Sequence, residues 1–414
     1  MGTRPSEASP VQNVVIEKPY RFVPPVRGSL WPAIFQRLRL FDIYLRRVHG
    51  VVDHECRGVD RLRASLRAGH GILLTPNHCR PADPVVIGFL ARQADCALYA
   101  MASWHLFHQG RLTRWAIRRM GAFSVYREGI DREAINAATQ ILETAERPLI
   151  IFPEGGITRT NDQLHALLDG VAFIARTAAK KRARPPVSGK VVIHPVALKY
   201  RFQGDLATTL APVLAEIEHR LSWHPQRDLP LVPRISKLGL ALLALKEIEY
   251  FGQSQPGRLG ERLARLIDRL LEPLEQQWLG EPQAGGVIPR VKALRMKILP
   301  EMVRNQLPPA ERQQRWRQLA DIYLAQQVAS YPPDYLTSHP SVDRLLETVE
   351  RYEEDLTDQV RVHGHLRVII EVGEAIEVDP QRQQRGQPEP LMTEIETRLQ
   401  RMLDSLAQES PRWS

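Results

Sequence analysis

The sequence is short of cysteine, short of aromatic residues and without a long apolar run, and each shortage removes a class of protein. Three cysteines, Cys56, Cys79 and Cys96, are too few and odd in number for a disulfide framework, and point to a reducing compartment. No uninterrupted apolar run approaches the roughly 18 residues of a membrane-spanning helix. No basic N-terminal stretch leads into an apolar signal core. A G-x-S-x-G elbow for a serine nucleophile is missing. So are zinc-ligand spacings and an aromatic–basic RNA signature, and aromatic residues make up only 7%. These absences weigh against a metal site and against nucleic-acid recognition.

What is present is positive charge. The formal net charge of +9 attracts polyanions, either nucleic acid or an anionic membrane face. A chain of 414 residues can bury one large core or two, and two domains are expected. Residues 1–28 carry Pro5, Pro10, Pro19, Pro24 and Pro25 without periodicity and read as a flexible arm. Over 29–49, Trp31, Ile34, Phe35, Leu38, Phe41, Leu45 and Val48 recur at three and four, so they share one face of a helix. Arg37, Arg39, Arg46 and Arg47 lie off that stripe. Such a helix either packs on a sheet or lies in a membrane interface as a tether.

From 50 to 205 apolar runs alternate with helical stretches. The runs fall at 71–76, 96–101, 121–126, 148–153 and 190–198, and the helices at 84–94, 104–120, 130–146 and 162–180. This alternation implies βαβ units, hence an α/β fold with a mostly parallel sheet flanked by helices. Two segments follow strands directly and carry the chemistry: Thr75-Pro-Asn-His-Cys-Arg-Pro-Ala-Asp-Pro84 and Phe152-Pro-Glu-Gly-Gly-Ile-Thr-Arg159. Open α/β sheets bind ligands in the crevice at that end of their strands.

In an unbroken helix His78 and Asp83 would point roughly 140° apart. Pro81 and Pro84 push Arg80 and Asp83 out of the helical region, so 78–83 is expected to fold as a tight turn with Asp83 capping the next helix. That turn lets the carboxylate reach the imidazole, an arrangement suited to a general base and its orienting acid. Cys79, beside His78 on an extended segment, points to the opposite face and reads as an ordinary buried thiol. Glu154-Gly-Gly156 forms a turn whose N–H groups can converge on an anion, with Glu154 either in the pocket or bracing the loop.

In company these segments resemble the glycerolipid acyltransferase family, that of 1-acylglycerol-3-phosphate (lysophosphatidate) acyltransferase. Asn77-His78 with Asp83 looks like its N-H-x4-D block. Gly121-Ala-Phe-Ser-Val-Tyr-Arg127 is similar to the second block, Phe152-Pro-Glu-Gly155 with Arg159 to the third, and Ile193-His-Pro-Val-Ala197 to the fourth. The resemblance implies His78 and Asp83 as catalytic. It places Asn77, Glu154 and Gly155 about the substrate, with Arg127 and Arg159 on an acceptor phosphate, and Arg80, beside the base, is a substrate-binding candidate as a compensation for the arginine the family commonly has at 157. It implies an acyl group moved from acyl-CoA or acyl carrier protein to a lysophospholipid hydroxyl in phospholipid biosynthesis, with no cofactor beyond the thioester. The expected setting is cytoplasmic and peripheral to an anionic membrane. Two departures bear on the acceptor. Arg80 stands where the family usually has serine, and Ile157 where it commonly has arginine.

Beyond 205 the strand pattern stops. Residues 206–360 read as a helical insertion, open to a role as lid, as surface for a protein partner or as membrane clamp, and 361–408 as the domain's return, with a strand near 365–378 and a helix at 391–406. Two other functions remain compatible with the residues: a hydrolase of acyl thioesters or lysolipids using the same dyad, and a basic nucleic-acid-binding protein.

Overall fold

The computed structural model describes residues 15–184, 189–304, 307–381 and 389–413. Helices α1 (Leu30–Arg37) and α2 (Leu40–His49) lead into β1 (Val51–Arg57), α3 (Val59–Arg67), β2 (Gly71–Pro76), α4 (Asp83–Gln93) and β3 (Tyr99–Ser103). After a 3-10 turn at Trp104–His108 come α5 (Arg111–Arg119), β4 (Ala122–Val125), α6 (Arg132–Thr144), β5 (Leu149–Ile150), α7 (Gly170–Arg182) and β6 (Val191–Phe202). Residues 206–357 hold α8 (Leu206–Arg220), α9 (Leu231–Phe251), α10 (Leu259–Leu279), α11 (Val287–Arg304), α12 (Pro309–Val328), α13 (Tyr335–Ser338) and α14 (Val342–Thr357). The chain ends with β7 (Leu366–Val372), β8 (Ile376–Glu377) and α15 (Pro390–Gln408).

The strands form one sheet in the order β1-β7-β6-β2-β5-β3-β4, with β8 also on β6. Only β7 and β8 run antiparallel to β6; the other pairings are parallel. This is the mostly parallel α/β sheet expected. Strand β2 lies near its middle and is buried at every position. Ile72 and Leu74 face one core, with α4, α8 and α14, while Leu73 faces the other, with α6, α7 and the start of α15. Two-sided burial is why this segment reads as a continuous apolar run.

Three expectations change. Residues 15–28 are not a free arm: Val23 exchanges hydrogen bonds with Ser124, and the Tyr20 hydroxyl donates to Asp131 at 2.5 Å. Prolines hold the segment extended, which lets it lie as a strap along β4; residues 1–14 lie outside the described residues. The stripe over 29–49 is two helices, broken where Arg39 takes φ +50°. The stretch 162–180 becomes helical only at Gly170, because Asn161 and Asp162 bury their side chains in contacts with β6 and α14 instead.

The long helical segment contains no named strand among its described residues, and its helices serve two cores. Helices α8, α9 and α14 extend the sheet's own core, while α10, α11 and α12 pack around Leu266, Leu271, Leu294, Ile298 and Ile322. Its first three helix corners repeat one device. Glu218, Glu247 and Glu275 are buried near their helix ends. They accept the backbone N–H of Gln226, Gln255 and Gln283, and the guanidinium of Arg234, Arg262 and Arg290 on the next helix. Each glutamine carboxamide then donates to the carbonyl two residues before it. A buried carboxylate is tolerated because its partners are all fixed.

Breaking one such corner should cost more than removing it. Arg262→Met is expected to destabilise the protein by about 3–5 kcal/mol, by leaving Glu247 buried without its counter-charge. The double change Glu247→Leu with Arg262→Met is expected to recover most of that loss, as read by denaturant unfolding.

Candidate active site

The site forms where β2 and β5 end side by side. Past Pro76, Asn77 continues the sheet by proxy: its carboxamide donates to the Leu198 carbonyl at 3.0 Å and accepts the Leu198 N–H at 2.7 Å. Asn161 does the same with Tyr200. Strand β6 outruns β2, and these two carboxamides satisfy its otherwise unpaired edge. Asn77 is therefore buried and backbone-bound, not free for substrate, which corrects the role given it by resemblance.

The chain then turns as the prolines predict. The Asp83 N–H donates to the Arg80 carbonyl, and the Arg80 N–H donates to Asp83 Oδ2 at 2.8 Å. The turn brings His78 Nδ1 within 2.9 Å of the same oxygen. Asp83 begins α4, with Ala82 at the cap position, because its carboxylate turns back to these donors. Its other oxygen accepts the Tyr200 hydroxyl at 2.6 Å, with the Cys79 thiol at 3.9 Å. Asp83 is wholly buried, while His78 is 12% exposed by side chain and stacks on Phe152 with ring centroids 4.1 Å apart. With Nδ1 donating to the carboxylate, Nε2 carries the lone pair. Nε2 has no hydrogen-bond partner among the described residues.

The loop after β5 is tied to this turn by Glu154. Its two carboxylate oxygens accept the His78 N–H at 2.7 Å and the His165 N–H at 3.0 Å. Burial pushes the Glu154 carboxyl up to about 8, against the pull of these donors, and the Asp83 charge adds to the rise. Of its two sequence readings the structure gives the loop brace, since the side chain is buried and does not line the cavity beyond His78. Gly155 takes φ +71°, and a Cβ there would meet Leu168 at 2.5 Å, so the turn requires glycine. Thr158 closes the arrangement, its N–H donating to the His78 carbonyl at 2.8 Å.

A cavity of about 1010 Å³ opens in front of His78. Gly155, Ile157 and Arg127 line it among the predicted residues and departures, and most of its wall is apolar, including Met101, Ile135 and Ile174. Arg80 and Arg159 do not line it. Arg80 pairs with Glu350 at 2.8 Å and lies over the Tyr200 ring, and Arg159 pairs with Glu354. Both are held behind the site by α14, whose carboxylates lie far along the chain. This corrects the substrate and phosphate contacts expected of them. Cys79 is buried on that same side, where burial, with the Asp83 charge next, drives its pKa far up and disfavours the thiolate.

Sequence reasoning missed Tyr200 and Asn161. For Tyr200 the signal was the period of two along β6, which places it on the same face as Val196 and Leu198. Asn161 carried none.

The mostly parallel α/β sheet thus brings a buried carboxylate, an oriented imidazole and a largely apolar cavity together at its strand ends. Residues 54–199 match the family model described as Acyltransferase, that of the glycerolipid acyltransferases. The match spans β1 to β6 and takes in all eight predicted site residues.

The brace has its own test. Glu154→Gln would set an amide N–H2 against one of the two backbone N–H groups, and is expected to destabilise the fold by about 1–3 kcal/mol in denaturant unfolding above a pH of about 8, where Glu154 is ionised.

Proposed function

We propose that the protein transfers a fatty acyl group from a thioester, of coenzyme A or an acyl carrier protein, to the hydroxyl of a lysophospholipid, 1-acylglycerol-3-phosphate being the acceptor we favour. The observation that carries this reading is the His78–Asp83 pair, with Nε2 unpartnered at the wall of an apolar cavity. His78 Nε2 takes the proton of the acceptor hydroxyl as that oxygen attacks the thioester carbonyl. The tetrahedral adduct then expels the thiolate, and the imidazolium returns its proton to sulfur, leaving an ester and a free thiol. Asp83 keeps the ring oriented and stabilises it while charged. The acyl chain suits the apolar wall, and the only co-reactant the chemistry needs is the thioester.

The same reading places the protein on a membrane surface. Leu112 on α5 is 77% exposed, and Leu30, Leu38, Ile43 and Val48 on and around α1 and α2 are also exposed. Trp115 packs on Trp31 with centroids 4.8 Å apart, which joins α5 to α1, and Arg111, Arg114, Arg118 and Arg119 add positive charge along α5. An apolar patch in a basic setting matches an anionic lipid interface. No described helix is long and apolar enough to cross a membrane.

His78→Ala is expected to lower acyl transfer from acyl-CoA by a factor of roughly 10²–10⁴ with the fold intact. Thiol release that depends on an added lysolipid supports transfer, whereas equal release without acceptor marks a hydrolase. Leu38→Glu with Leu112→Glu is expected to abolish co-sedimentation with phosphatidylserine vesicles while leaving the unfolding midpoint unchanged. Undiminished sedimentation would remove the membrane assignment.

A further inference from the structure

Helix α11, which lies outside the family match, forms part of the cavity wall through Ile288, Val291, Lys292 and Arg295, residues spaced to share one helix face. Arg295 is 6% exposed, yet its Nε and Nη2 are buried without a hydrogen-bond partner. Buried guanidinium N–H groups normally find acceptors, so an unsatisfied pair on a residue of the cavity wall marks a position where an acceptor is to arrive. Arg127, at the end of β4, lines the same cavity and makes no ion pair among the described residues. Lys292 lies one turn from Arg295 at the exposed end.

The surrounding carboxylates do not neutralise this cluster. Glu128 is near but within salt-bridge distance of neither arginine. Asp131 is occupied by Tyr20 and by the N–H groups of Tyr126 and Ala134, and Glu389 is held by Arg176. Asp169 and Glu396 line the cavity without pairing to Arg295. Burial lowers the pKa of Arg295, the Glu128 charge offsets part of this and the Arg127 charge lowers it further, while Arg127 is itself lowered by burial against the pull of Glu128. Two desolvated cations without a contacting ion-pair partner among the described residues are a destabilising arrangement until one is supplied. The loop after β5 supplies no cation here, because Ile157 faces the cavity and Arg159 is turned to Glu354.

We propose that Arg295, with Arg127 and Lys292, forms a phosphate-binding site, so that the helical insertion completes the substrate cavity of the α/β domain. Guanidinium forks match phosphate oxygens bidentately, and Lys292 adds a point charge at the open side. This inference rests on the acyl-transfer reading for the identity of the phosphate, which belongs either to the acceptor head group or to coenzyme A. It does not rest on that reading for the existence of the site.

The test reads thermal stabilisation of the full chain, which needs no turnover. Inorganic phosphate, sn-glycerol 3-phosphate and coenzyme A are titrated at constant ionic strength, with glycerol and pantetheine as phosphate-free counterparts. Wild type is expected to be stabilised by phosphate-bearing ligands only, and the stronger of the last two phosphate-bearing ligands names the source. Arg295→Met, which removes an unpaired buried charge, is expected to melt no lower than wild type and to bind that ligand ~10-fold or more weakly. If Arg295→Met does not fold, Lys292→Gln is read instead and must weaken the same shift. A ligand response unchanged by the substitution, or no response in wild type to any phosphate, overturns the site. Loss of acyl transfer with an intact phosphate response would instead overturn the proposed reaction alone.

Discussion

One carboxylate organises the strand-end chemistry. Asp83 is fully buried and takes hydrogen bonds from the His78 ring, the Arg80 N–H and the Tyr200 hydroxyl, with the Cys79 thiol close by. Each donor comes from a different requirement of the fold: the turn itself, the strand β6, and the packing beneath the turn. A buried carboxylate is stable only when its acceptor sites are filled, so the turn, the strand and the imidazole orientation are fixed together. The imidazole is left with one nitrogen unpartnered among the described residues, the atom to which the proposed reaction assigns the proton transfer.

The helical segment between β6 and β7 acts on this centre from two sides. From behind, α14 grips the site loops: Glu350 holds Arg80, Glu354 holds Arg159, Glu347 accepts the Asn161 N–H, and Arg344 pairs with Asp162. The Asp162 carboxylate also faces the fully buried Lys199 of β6, so strand, loop and helix share one charged cluster. In front, α11 and α12 contribute Arg295 and Gln326 to the cavity wall. The segment is thus part of the cavity's construction, and its repeated glutamate–glutamine–arginine corners give it the stiffness to hold a wall in place. Rigid placement of charged groups is what makes them effective toward a bound anion.

The parts legible in the sequence were those whose signal is local. Pro81 and Pro84 specified the turn, and the apolar runs of β2 and β6 specified the sheet. Strand β1 was not legible, because Asp53, Glu55 and Arg57 alternate along a sheet edge and pair with Arg367 and Glu409 across it. The arginines were misplaced for a related reason. Arg80 and Arg159 look like phosphate ligands by proximity to motif residues, yet their charges are spent on α14 glutamates that no local pattern connects to them. Arg295 sits in a segment without motif, and only the fold brings it to the cavity. The helix corners were readable in principle, since each arginine follows its glutamate at nearly constant spacing, but the repeat lies in three residue types among many.

The central claim is that Asp83 fixes the His78 ring with its proton on Nδ1 and its lone pair on Nε2. Nitrogen-15 NMR of the histidine-labelled protein, with His78 assigned by its loss in a His78 variant, measures this directly while the ring is neutral. The account predicts a protonated Nδ1 and an unprotonated Nε2, with Asp83→Asn shifting the populations toward the other tautomer. A ring found with its proton on Nε2 in the unmodified protein would contradict it, because no lone pair would then face the cavity.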